Sequence, residues 1–264
     1  VVMQALQLLI RPFILRRTKD EVLVDLPPKT EQVIEVPFSE EERAFYEALR
    51  LQSLDNISGL QQQAGPKRIK ILAEIMRLRQ ACCHPMLVSD TFDFPSSKLI
   101  YLERIIDDLL ENGHKSLIFS QFTRFLSLVR SWLDAKGIRY HYVDGSTPMK
   151  RRQEAVEAFQ AGELDLFLLS LKAGGVGLNL TAADYVVILD PWWNPAVEDQ
   201  AADRVHRIGQ DKPVTIYRLI AENSIESQII NLHGKKRELA SGLLDGTHST
   251  GAMSEDELLQ LIQG

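Results

Sequence analysis

Gln200, Arg204 and Arg207, in the stretch EDQAADRVHRIGQ (198–210), stand at i, i+4 and i+7. On a helix that spacing gathers all three on one face. Arginine presents a planar fork matched to phosphate oxygens, and two of them one turn apart suit a polyphosphate whose charge builds up during transfer. The plain alternative is a surface salt-bridge face. Local acids serve it poorly, because Asp199 and Asp203 are offset from the face and Glu198 lies at its start.

Other residues invite chemistry and have plainer readings beside them. In KAGGVGLN (172–179), Gly174, Gly175 and Gly177 permit tight turns and close approach to a phosphate or nucleic acid, although such loops are common. PWWNP (191–195) holds two tryptophans between prolines; Trp192 suits a core, while Trp193 is placed either to stack on nucleic acid or simply to pack. Asp190 ends the apolar run VVILD without a second carboxylate after it, which favours a structural role over a magnesium ligand. His84 follows Cys82 and Cys83, but no second ligand pair with metal-binding spacing occurs, so no metal site is expected.

The elements that must position these residues follow from the hydrophobic pattern. Between residues 97 and 239 helical and strand-like stretches alternate: SSKLIYLERIIDDLLENG, KSLIFS, FTRFLSLVRSWLDAKG, IRYHYVDG, PMKRRQEAVEAFQAG, LDLFLLS, DYVVILD, PAVEDQAADRVHR, VTIYRLI and SIESQIINLHGKKRELASG. This is the rhythm of an α/β fold, a mainly parallel sheet with helices on both faces. Such sheets bind ligands beyond the carboxyl ends of their strands, so the loops after residues 120, 143, 170 and 189 are where function is sought. Residues 1–95 read as mostly helical with an extended piece at VDLPPKTEQVIEVPFS (24–39), and Ser39 with Glu42 forms a capping box for the helix that follows. The expected division is a helical linker and protrusion at 1–95, an α/β lobe at 96–245 and an acidic tail at 246–264.

Composition bounds the class. At 264 residues, 45% hydrophobic and 25% charged, the chain is a globular protein. Its longest apolar runs fall far short of the roughly 20 residues of a spanning helix. The start VVMQALQLLIRPF lacks an initiator Met and reads as cut from something longer. The two adjacent cysteines suit a reducing setting and no disulfide. The formal charge is −6, yet Lys115, Arg124, Arg130, Lys136, Arg139, Lys150, Arg151 and Arg152 crowd a span holding only Asp134 and Asp144 as acids. That span suits a face tracking a phosphate backbone, or a set of solvated helix surfaces.

Taken together, KSLIFSQFT, YVDGSTPMKRR, LLSLKAGGVGLNLTAADYVVILDPWWNP and QAADRVHRIGQ resemble motifs four, four-a, five and six of superfamily-two helicases, and most closely those of the Swi/Snf family of DNA translocases and chromatin remodellers. RPFILRRTKDEVLVDLPPK, LRQACCHP and SSKLIYL resemble the segment joining that family's two motor lobes. HRIGQ looks like the HRIGR of DEAD-box RNA helicases, but alignment on Q-x-x-x-R-x-x-R selects Gln200, Arg204 and Arg207. The resemblance implies a RecA-like second lobe of an ATP-driven motor. ATP and Mg²⁺ would be held mainly by the absent lobe, since neither G-x-x-x-x-G-K-[ST] nor D-E-x-H occurs here. Arg204 and Arg207 would then act as arginine fingers with Gln200 orienting the site. Gln121, Gly145, Ser146, Ser170, Lys172, Ala173, Gly174 and Trp193 would contact double-stranded DNA, and Gly177 and Asn179 would couple the two sites, unless Asn179 only caps a turn. Expected partners are DNA, the upstream lobe of the same polypeptide and DNA-bound proteins, with no membrane. The rival readings are an RNA helicase lobe and a non-catalytic DNA-binding module. The compact linker and short tail lean toward a prokaryotic protein in the cytoplasm, at the nucleoid; a eukaryotic one would be nuclear.

Overall fold

The computed structural model describes residues 26–59, 64–92, 94–174, 179–244 and 253–263. The strands are β1 (Lys29–Val36), β2 (Ser116–Ser120), β3 (His141–Val143), β4 (Leu166–Ser170), β5 (Tyr185–Ile188) and β6 (Val214–Ala221). They form one six-stranded sheet in the order β1-β6-β5-β2-β4-β3, and every pairing is parallel. The helices are α1 (Glu40–Ser58), α2 (Ala64–Cys83), α3 (Ser97–Glu111), α4 (Thr123–Ala135), α5 (Met149–Gln160), α6 (Pro195–Ala202), α7 (Ile225–Leu244) and α8 (Glu255–Gln263), with single helical turns at Pro85–Leu87 and Leu171–Gly174.

Central strands SLIFS and LFLLS are buried at every position, as parallel strands covered on both faces must be. Successive residues serve opposite faces. Leu117, Phe119, Phe167, Leu169, Val186 and Ile188 join Phe159 of α5 and Ala201 and Ala202 of α6 in one core. Ile118, Leu166, Leu168 and Val187 join Leu102 and Ile106 of α3 and Phe125 and Val129 of α4 in the other. Gly113 (φ 71°) and Gly137 (φ 69°) follow α3 and α4 in the left-handed region, where a side chain would be strained. The expected capping box is formed: the Ser39 hydroxyl accepts from the Glu42 amide at 3.2 Å, and the Ser39 amide donates to Glu42 at 3.0 Å.

Two expected boundaries shift. The extended piece inside the proposed linker is β1, an edge strand of the lobe's own sheet that pairs with β6 from Lys29↔Val214 to Val36↔Ala221. Part of the tail is α8, whose Leu258, Leu261 and Ile262 enter a third cluster with Tyr46 and Leu49 of α1, Ile71, Ile75 and Leu78 of α2 and Ile229 of α7. Arg50 donates to the last carbonyls of α8, Ile262 O at 3.3 Å and Gln263 O at 3.2 Å, which supplies acceptor-rich helix-end oxygens with a cation. The acidic residues at the start of α8 favour the helix for the complementary reason.

Candidate functional site

Because all strands run the same way, the loops after β2, β3, β4 and β5 share one edge of the sheet. Gln121 opens the first loop; its amide donates to both Asp190 oxygens (3.1 and 3.3 Å), and the Ser120 hydroxyl donates to the same carboxylate. Asp190 is fully buried, so it ties the ends of β2 and β5 together as a structural acid. Gly145 and Ser146 lie exposed in the second loop, followed by exposed Lys150 and Arg151. Ser170 and Ala173 open the third. Both are buried, and the Ser170 hydroxyl accepts from the Ala173 amide at 3.3 Å, so its hydroxyl is engaged inside the turn. Asn179 is exposed. Gly177 and the side chain of Lys172 lie outside the described residues, and Gly174 closes the helical turn.

The second loop is shaped by Asp144. It accepts from Ser146 Oγ (2.7 Å), the Ser146 amide (2.9 Å), Tyr142 Oη (2.8 Å) and Thr147 Oγ1 (3.2 Å). The bond from the Ser146 hydroxyl, opposed by partial burial and reinforced by the others, lowers its pKa from 3.8 to about 2. A depressed acid contributes stability that is complete above its unfolded value and lost as pH falls through its folded value. Asp144→Asn should therefore lower the urea midpoint at pH 6, and the difference from the parent should close between about pH 4 and pH 2.

The fourth loop, Leu189 to Trp193, is held by side chains that the sequence reading passed over. Lys98 Nζ donates to Leu189 O at 2.8 Å, Arg79 donates to Pro191 O, and His233 Nε2 meets Trp192 O at 2.5 Å. Trp192 N donates to Glu198 at 2.6 Å. Lys98 pairs with Glu226 at 2.6 Å, with the two side chains 2% and 0% exposed. A signal for these residues was present: Arg79 sits on the buried stripe of Ile71, Ile75, Leu78 and Cys82, and Lys98 begins the stripe of Leu102, Ile106 and Leu109. Charged residues on an apolar face need buried partners. Trp192 packs against the sheet core, whereas Trp193 is half-buried against the helical cluster, with part of its surface left to solvent. His84 Nδ1 accepts from the Met86 amide at 3.2 Å as a cap, and no group of potential metal ligands occurs among the described residues.

The arginine segment differs from the expectation of one helical face at the carboxyl edge. Helix α6 ends at Ala202, so Gln200 is helical while Arg204 and Arg207 lie in the turns beyond it. The cause is tertiary. Leu180 N donates to Arg204 O at 3.1 Å, the Gln210 side chain donates to Thr181 O (3.1 Å) and Ala183 O (2.8 Å), and His206 Nε2 lies 2.7 Å from Pro27 O. Those partners precede β5 and β1, so the crossover helix carries its end to the amino edge, as a connection between parallel strands must. Val205 and His206 are buried, and Arg204 and Arg207 flank them half-buried. Gln200, exposed, is one turn nearer the carboxyl edge.

Three of the eight cations of the basic span are paired with acids from elsewhere in the chain. Lys115 pairs with Asp165 (2.9 Å), Arg124 with Asp90 (3.5 Å) and Lys136 with Glu103 and Asp107. Arg130 lies over the Tyr142 ring at 4.4 Å, and buried Arg152 donates to Asp144 O at 3.2 Å. Arg139, Lys150 and Arg151 remain exposed. Of these, Lys150 and Arg151 follow the loop at the carboxyl edge.

Comparison with known proteins covers both regions of the chain. The model "Helicase conserved C-terminal domain" matches residues 97–209 and "SNF2-related domain" matches residues 2–87. A human relative, "SWI/SNF-related matrix-associated actin-dependent regulator of chromatin subfamily A member 1", is 35% identical over 98% of this chain and 26% of its own length. The chain thus spans about a quarter of that protein. The "Sulfolobus solfataricus SWI2/SNF2 ATPase C-terminal domain" superposes with a TM-score of 0.71 at 28% identity, covering 89% of this chain and 98% of that one. The "Sulfolobus solfataricus SWI2/SNF2 ATPase core in complex with dsDNA" matches with a TM-score of 0.70 at 32% identity, over 89% of this chain and 50% of that one.

Proposed function

The chain belongs to the Swi/Snf family of superfamily two, as its C-terminal RecA-like lobe, and from that premise we propose that it is the second motor lobe of a double-stranded-DNA-stimulated ATPase and translocase. The observation that carries the reading is the separation of two surfaces on one sheet. Four loops open at the carboxyl edge, and an anchored turn holds Arg204 and Arg207 toward the amino edge. A lobe that joins a nucleotide cleft to a DNA track requires two such surfaces.

On the DNA side, Gln121, Gly145, Ser146, Lys172, Gly174 and Trp193 are the contact set, with Ser170 and Ala173 shaping the turn through their mutual hydrogen bond. Contacts to phosphates make binding indifferent to sequence and sensitive to salt. The relative solved with double-stranded DNA supports this partner. On the nucleotide side, Arg204 and Arg207 donate to the transferring phosphoryl group, and Gln200 orients the site. ATP with Mg²⁺ would be held mainly by the upstream lobe, where the metal would neutralise triphosphate charge; this chain's Arg204 and Arg207 fit that anion by donor type. Gly177 and Asn179 join the two surfaces in sequence and are the coupling candidates.

The test is ATP turnover by this chain alone and by the chain rejoined to its upstream lobe, with and without double-stranded DNA. The chain alone should be silent, and the rejoined protein should be stimulated by DNA. Hydrolysis by the chain alone would overturn the half-motor reading, and stimulation by duplex RNA in place of DNA would assign the lobe to an RNA helicase.

A further inference from the structure

The loop from Leu189 to Trp193 has an unusual means of support. Its carbonyls at Leu189, Pro191 and Trp192 are taken by the side chains of Lys98, Arg79 and His233, which come from α3, α2 and α7. Its shape is therefore set by long side chains of the helical layer. Lys98 is central among them. Its ammonium reaches Leu189 O at 2.8 Å and Glu226 Oε2 at 2.6 Å, and the same carboxylate oxygen accepts from Ala221 N at 2.8 Å. One buried pair thus links the first turn of α3 to the carboxyl ends of the adjacent strands β5 and β6.

A buried ion pair is weak evidence for stability, because desolvation offsets its attraction and an apolar pair of similar volume often serves as well. The neighbouring serines show that the first turn of α3 is a junction. Ser96 Oγ donates to Cys83 O at 3.0 Å and the Ser97 amide donates to Glu42 at 2.9 Å, joining α2 and α1. We propose that Lys98 is a positioning residue: held in place by Glu226, it fixes the Leu189–Trp193 loop at the carboxyl edge, so that the helical layer and the tryptophan-bearing loop move as one unit. The effect on DNA rests on the reading of that edge as the DNA track; the effect on the loop does not.

The double substitution Lys98→Met/Glu226→Gln tests it. It removes both charges, keeps an acceptor for Ala221 N and leaves Leu189 O without its donor. With Trp132→Phe as background, the fluorescence reports Trp192 and Trp193 alone. The double variant should remain cooperatively folded, its acrylamide quenching constant should rise about two-fold as the loop opens locally, and its affinity for double-stranded DNA should fall about ten-fold, the equivalent of one lost contact. Lys98→Arg, which can still donate to both oxygens, should keep the parent's quenching. Parent-like quenching in a folded double variant would overturn the proposal and leave the pair a packing device. If the double variant does not fold, hydrogen exchange on the unaltered chain decides: the Trp192 amide should open only together with Leu99 in the first turn of α3, and earlier opening of Trp192 would overturn it. Failure of the unaltered chain to bind double-stranded DNA would instead count against the proposed function, while the quenching result would still judge Lys98.

Discussion

On the proposed function, Arg204→Ala or Arg207→Ala, in this chain rejoined to its upstream lobe, is expected to lower DNA-stimulated ATP turnover by about 10³–10⁵-fold, the usual worth of an arginine finger. Nucleotide affinity should change far less. An arginine that meets charge developing on the transferring group contributes mainly in the transition state, so its loss lowers kcat and leaves ground-state binding largely intact. The geometry suits that role. Buried Val205 and His206 anchor the turn, Leu180 N holds Arg204 O at 3.1 Å, and Gln210 N holds Arg207 O at 3.0 Å, so the backbone carrying both arginines is fixed before closure. Steady-state hydrolysis and displacement of a fluorescent nucleotide are the two measurements. Loss of binding in proportion to loss of turnover would mean that the arginines hold substrate without selecting the transition state.

Arg218→Met should cost about 3–5 kcal/mol of stability at pH 7, because it leaves a buried acid without its partner. Arg218 is 4% exposed; its Nε donates to Glu198 at 2.7 Å, Nη1 donates to Glu31 at 2.8 Å, and Nη2 lies 3.7 Å from Asp199. It therefore joins β6, α6 and β1 around one guanidinium. Burial raises the pKa of Glu198 even with Arg218 beside it. At Glu31, burial is outweighed by Lys29 and Arg218, and the pKa falls to about 2. The variant must keep Glu198 protonated to keep it buried, and a raised carboxyl pKa means stability that is lost as pH rises above the ordinary range. Its deficit should thus be large at pH 7 and smaller at pH 5, read from urea midpoints. Adding Glu198→Gln to Arg218→Met should recover much of the loss; no recovery would show that the guanidinium's role is packing.

What could be read from sequence was what local chemistry decides. Ser39 and Glu42 cap α1 three residues apart, and Gly113 and Gly137 end their helices by their own conformation. SLIFS and LFLLS are strands because nothing polar interrupts them. What escaped depends on distant partners. KTEQVIEV is mostly exposed and polar, so β1 is recognisable only through β6. EDELLQLIQ has its apolar residues at helical spacing, but its acids masked a helix that docks on three others. The helical pattern through Arg207 was real in sequence, yet carbonyls before β5 and β1 end α6 at Ala202. Three of the eight cations of the basic span, Lys115, Arg124 and Lys136, pair with acids as distant as Asp90 and Asp165. The buried cations Arg79 and Lys98 were visible as charges on apolar stripes, and only their acceptors were hidden.

The pairing of β1 with β6 also dictates an order of events during synthesis. Lys29 meets Val214 in the register, so the sheet's first strand emerges from the ribosome long before its neighbour exists. At about 5–20 residues per second that interval is roughly 10–40 s. Strands β2, β4 and β5 can assemble within it, and the edge closes last, at the highest loop-closure cost in the sheet. A nascent strand waiting so long would recruit other chains if it were apolar. Lys29, Glu31 and Glu35 supply the charges that guard it, two of them already forming a 2.8 Å pair in the finished protein.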